Sequence, residues 1–125
     1  MYIGNAFSLN MLPSWALGGN LRFQRLTLEQ ARGLAQEFEY TSAVGHADVA
    51  ALFTEALGVP VPMNRINAEL LPGLDDDRIL VGQYFGPRLP EGTTTLPEGA
   101  EIRWMLVTLS EDGLDLDLDD VQEGY

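Results

Sequence analysis

At 125 residues with no cysteine, the chain has the length of one domain able to bury a core without staples, and disulfides and thiolate metal sites are excluded. A formal net charge of −12 argues against general coating of DNA or RNA, which needs a basic face. No apolar run approaches the roughly 20 residues of a membrane-spanning helix, so a soluble protein with no membrane partner is expected.

The N-terminal stretch MYIGNAFSLNML carries no basic leader, and a cytoplasmic protein is the corresponding expectation. The charge is unevenly spread. Residues 110–125 (SEDGLDLDLDDVQEGY) hold seven of the 19 acidic residues and none of the basic ones. Without them, 12 acids face seven bases, a net of −5. Leu114, Leu116 and Leu118 alternate with aspartate as an edge strand would, but the charge density favours a solvated tail. A folded domain over 1–109 and a flexible acidic tail over 110–125 are expected. All seven bases are arginines, at 22, 25, 32, 65, 78, 88 and 103. Their planar forks suit phosphate, although a compositional bias against lysine accounts for them equally well.

Along the chain, residues 2–7 (YIGNAF) read as a short buried strand. Pro13 and Gly18-Gly19 break the next stretch into loop, and residues 21–26 (LRFQRL) alternate as a strand does. Thr27 with Gln30 forms a capping-box pair that opens a helix through about Glu37. The clearest helix is 46–57, where Val49, Leu52, Phe53, Ala56 and Leu57 share one face. Gly58 stands where a left-handed cap belongs, and Pro60 prevents continuation. Residues 64–71 and 78–85 are expected to pair as a hairpin across the turn at 72–77. The stretch 86–100 carries three prolines and three glycines, a loop long enough to suggest function. Residues 101–109 form the last strand, with Ile102, Trp104 and Leu106 on one face. The order β, β, α, α, β, β, β implies an α/β single domain, with α+β as the alternative. A mixed sheet of about five strands would carry both helices on one face.

His46 is the only histidine and stands at the start of the best helix, just after Gly45. A helix N-terminus offers free N–H groups and a positive dipole end to a phosphate. Protonated, a histidine there could serve as general acid toward a departing alkoxide. An ordinary capping or surface histidine is the plainer account. Arg88 and Glu91 lie in the Gly/Pro loop as PRLPEG, where an arginine could close over a phosphate and a carboxylate could orient a hydroxyl; a solvated pair is the alternative. Arg65, after Asn64, offers a second phosphate contact or is merely a surface residue. One histidine without cysteine makes a zinc site improbable, and the acidic turn Asp75-Asp76-Asp77 reads better as hydrated than as a cation site. Neither a metal nor another cofactor is expected.

Three segments together resemble the viral type III anti-CRISPR ring nucleases and their cellular relatives. They are Asn5-Ala6-Phe7-Ser8-Leu9-Asn10-Met11-Leu12; Ser42-Ala43-Val44-Gly45-His46; and Asn64-Arg65 followed by Gln83 and Arg88-Leu89-Pro90-Glu91-Gly92. The resemblance runs over roughly residues 2–107. It implies a homodimeric mixed α/β fold that binds cyclic tetra-adenylate and cuts it without metal, which ends its activation of defence ribonucleases. By that resemblance His46, Arg88 and Glu91 are catalytic, and Ser8, Asn10, Gly45, Arg65 and Gln83 line the ligand cleft. The stretch between Gln83 and Arg88 holds Gly86-Pro87 and is a residue longer than in some members. The acidic tail is extra.

Two further readings stand beside this one. The same cleft could sequester a cyclic nucleotide without cutting it, although simple binding gives His46 no task. Alternatively, the acidic tail could dock on a basic partner or imitate nucleic acid.

Overall fold

The computed structural model describes residues 1–110, which form β1 (Tyr2–Gly4), β2 (Asn20–Leu26), α1 (Leu28–Glu37), β3 (Thr41–Ser42), α2 (Ala47–Leu57), β4 (Arg78–Phe85) and β5 (Glu101–Ser110). A 3-10 turn occupies Leu9–Met11. The acidic tail beyond Ser110 lies outside the described residues.

The expected α/β single domain is observed: a five-stranded mixed sheet in the order β2-β5-β4-β1-β3. β1 pairs in parallel with β3 and β4, while β5 runs antiparallel to both β4 and β2. Strands β1 to β4 therefore all end at one edge of the domain. Period-two alternation divides the sheet into two faces. Leu80 and Trp104 join Ala31 and Ala35 of α1 and Ala50, Phe53 and Leu57 of α2 in one buried cluster. Ile79, Val81, Val107 and Leu109 point the other way, where Phe7, Met11, Leu12 and Leu70 pack against them. Both helices thus cover one face, and loop residues partly cover the other.

Local sequence accounts for the helix limits. Thr27 and Gln30 form the reciprocal capping box, with Thr27 Oγ1 accepting from Gln30 N and Gln30 Oε1 from Thr27 N. α2 ends at Gly58, whose φ of 71° needs no side chain. The Phe53 and Trp104 rings meet with centroids 4.9 Å apart at 54°, within the range of tilted aromatic contacts.

The structure departs from the expected strands in two places. Residues 64–71 do not form a hairpin with β4, because β1 and β5 already fill both edges of β4. Their backbone bonds scatter instead: Asn64 N donates to Val44 O, Leu70 N to Met11 O and Leu71 N to Asp76 O. The strand that completes the sheet is β3, only two residues long. Thr41 N donates to Met1 O and Ala43 N to Ile3 O, bonds that no alternation in so short a segment foretells.

Gly82 controls how closely α2 approaches the sheet. A Cβ on it would lie 2.5 Å from Trp104 Cζ3 and 2.7 Å from Phe53 Cζ. Gly82→Ala should therefore lower the free energy of unfolding by about 1–3 kcal/mol through overpacking. Urea denaturation reads this as a lower midpoint at unchanged slope, whereas an unchanged midpoint would mean the ring pair relaxes freely.

Candidate active site at the strand ends

Three loops leave the sheet at the edge where β1, β3 and β4 finish, and each carries residues of the sequence-based site. In α/β sheets ligands bind beyond the carboxyl ends of strands, where loops diverge.

The segment after β3 is the most rigidly built. Ser42 is buried, and its hydroxyl donates to Pro62 O at 2.6 Å. Asn64 Nδ2 donates to Ser42 O at 2.8 Å, and Val44 forms a parallel bridge with Met63. Residues 42–45 and 62–65 thus lie side by side. Arg65 Nε donates to Gly45 O at 2.9 Å, which leaves its terminal nitrogens available to an anion. Gly45 itself has Arg65 Cγ 3.5 Å from where a Cβ would stand. Gly45, His46 and Arg65 are therefore assembled as one unit.

His46 is the N-cap residue of α2, with extended backbone angles of −129° and 130°, and its side chain caps nothing. The imidazole is exposed and so free to meet a ligand. The N–H groups of the first turn have no intrahelical acceptors. Ala50 N, the first to be bonded, donates to His46 O. Asp48, in the same turn, directs its carboxylate to the loop after β4 and accepts from Gly92 N at 3.3 Å.

That contact ties the long loop to α2. Tyr84 OH donates to Pro87 O as the chain leaves β4, and Thr93 N donates to Pro90 O across the turn that contains Glu91 and Gly92. Glu91 thus sits next to a residue bonded to α2. Arg88 and Glu91 are both exposed, and neither forms an ion pair among the described residues.

The remaining predicted residues stand apart from this group. Ser8 caps the 3-10 turn, its Oγ accepting from Asn10 N at 3.1 Å. Met11 O, accepting from Leu70 N, holds that turn on the sheet face opposite the helices. Gln83 is exposed and points to that same face, opposite Arg103 of β5. Among the described residues no hydrogen bond joins Ser8, Asn10 or Gln83 to the His46 group. Asp48 is the site residue missed from sequence. An aspartate in a first helical turn reads as a partner for the helix dipole, and nothing local reveals a loop 44 residues away.

Comparison with known proteins agrees with this architecture. The chain is 34% identical over 92 residues to uncharacterized protein 26 of Sulfolobus islandicus filamentous virus (isolate Iceland/Hveragerdi), a match covering 74% of this chain and 73% of that protein. It shares its fold with B116 of Sulfolobus turreted icosahedral virus, with a TM-score of 0.66 at 22% identity over 86% of this chain and 97% of that one. The family model described as STIV B116-like matches residues 1–105, the described domain almost entire, and the chain belongs to that family.

Proposed function

We propose that the protein is a metal-independent ring nuclease that opens cyclic tetra-adenylate and so silences type III CRISPR signalling. The observation that carries this reading is the uncapped start of α2. It bears an exposed histidine, an arginine held beside it, and a loop with a second arginine and a glutamate tied to its first turn.

RNA carries its own nucleophile, the ribose 2′-hydroxyl. The protein needs only to align that hydroxyl with the scissile bond, stabilise the phosphorane and protonate the leaving 5′-oxygen. The α2 N–H groups, Arg65 and Arg88 supply positive potential for the phosphate. As the 2′-oxygen bonds to phosphorus its proton passes to solvent water, the bond from phosphorus to the 5′-oxygen breaks, His46 donates a proton to that leaving oxygen, and Glu91 orients the reacting groups. The products are linear adenylates ending in 2′,3′-cyclic phosphate. A homodimer would let two such sites act on opposite sides of a ring. Exposed Leu9 (76%), Trp15 (57%) and Phe23 (66%) support self-association. Light scattering should find two chains per particle; a monomer at micromolar concentration would remove this part of the reading.

With the protein in excess EDTA, liquid chromatography and mass spectrometry should detect many turnovers of cyclic tetra-adenylate. His46→Ala should lower the rate by at least about 10²–10⁴-fold while ring affinity stays close to normal. Turnover by that variant near the wild-type rate refutes the assignment, and stoichiometric retention of intact ring by the wild type would favour sequestration instead. Asp48→Ala should release the 86–100 loop. The expected signs are faster amide exchange at Gly92 and a higher KM, with stability changed by less than about 1 kcal/mol because the bond is exposed. Unaltered exchange at Gly92 would mean the loop is held by other contacts.

A further inference from the structure

β4 extends beyond the last β1 pair, Gly4 with Val81, by the four residues 82–85. Beside this overhang, where β2 gives way to α1, lies a groove of about 530 Å³, walled on the face away from the helices by Arg25, Val81, Gln83, Phe85, Arg103 and Met105 and on the helical side by residues 26–28, Ile102 and Trp104. The register explains why these side chains converge. Arg25 and Val81 each stand opposite Met105, and Gln83 stands opposite Arg103. Alternation sends the intervening Gly82 and Trp104 to the helical face. The groove opens at the same end of the sheet as the loops around His46, although His46 does not line it.

Arg103 is held on two sides. Its guanidinium lies over the Phe85 ring, 4.1 Å from the centroid, and Nε and Nη2 donate to Glu101 Oε1 at 3.0 and 2.8 Å. The side chain is nevertheless 65% exposed, so the guanidinium presents open surface to the groove. A flat, oriented cation of this kind suits a nucleobase, which stacks on guanidinium planes. The amide of Gln83 beside it supplies both donors and an acceptor for a base edge. Arg25 lies across Met105 with no ion-pair partner among the described residues, so its fork can take a phosphate. Val81, Phe85 and Met105 give the apolar body of a nucleoside something to cover.

The geometry points to this groove as a nucleotide subsite, with the base on Arg103 and Phe85, its edge read by Gln83, and a phosphate on Arg25. That the base is adenine rests on the ring-nuclease reading; the stacking shelf and the phosphate contact do not.

The test is a titration of the isotopically labelled full chain with adenosine 5′-monophosphate, followed by amide chemical shifts. Val81–Phe85 and Arg103–Met105 should move. Arg103→Lys, which keeps the charge and removes the plane, should weaken binding about tenfold, as expected for loss of one stacking contact. Arg25→Ala should weaken it to a similar degree. Four outcomes would overturn the inference: no shifts in the groove, shifts only near His46, equal shifts with inorganic phosphate alone, or undiminished binding by Arg103→Lys. The exposure of Arg103 leaves the fold intact in that variant, which the dispersion of its spectrum verifies. Ring cleavage by the wild type separates the two proposals. Cleavage with a silent groove sinks only the subsite, and a groove that binds nucleotide without any ring cleavage sinks only the nuclease.

Discussion

The contact between Gly82 and the Phe53–Trp104 ring pair underlies the geometry of the whole domain. A glycine in the middle of a buried strand ordinarily weakens it. Here the missing side chain lets two aromatic rings settle against the sheet, one from α2 and one from β5. Phe53 sits about two turns from His46, the N-cap of an eleven-residue helix. Fixing it fixes where that helix begins, and the helix begins at His46. Packing deep in the core thereby governs the position of the exposed imidazole.

The site is supported unevenly, in a way that suits ligand closure. Gly45, His46 and Arg65 belong to a segment laced by half-buried bonds through Ser42 and Asn64, to which an exposed bond from Arg65 to Gly45 O is added. Arg88 and Glu91 belong to a loop held to α2 by one exposed bond, Gly92 to Asp48. A rigid half with a more weakly held half is the arrangement by which lids admit a ligand and then exclude water. In the proposed nuclease, the acid and one phosphate contact are fixed in advance, while the second arginine and the glutamate come with the loop.

The chain belongs to the STIV B116-like family. The matched region, residues 1–105, takes in both halves of the site and stops within β5. The most acidic part of the chain lies beyond it. Residues 111–125 carry seven acidic residues and no basic one.

Local chemistry made much of the fold legible in the sequence. The capping box at Thr27 and Gln30, the left-handed Gly58 and the apolar faces of α2 and β5 each act within a few residues, and each was where the pattern put it. His46 at a helix start was equally readable, because a helix N-terminus is a local feature. The tertiary structure alone decided what depends on distant partners. β3 exists because Met1 and Ile3 offer carbonyls to two residues with no strand pattern of their own, and 64–71 is denied a ladder because both edges of β4 are taken. It also decided that Asp48 holds the loop, and that Arg25, Gln83 and Arg103, scattered over 79 residues of sequence, face one groove. Strand order and register set those meetings, and a single sequence carries neither in any one segment.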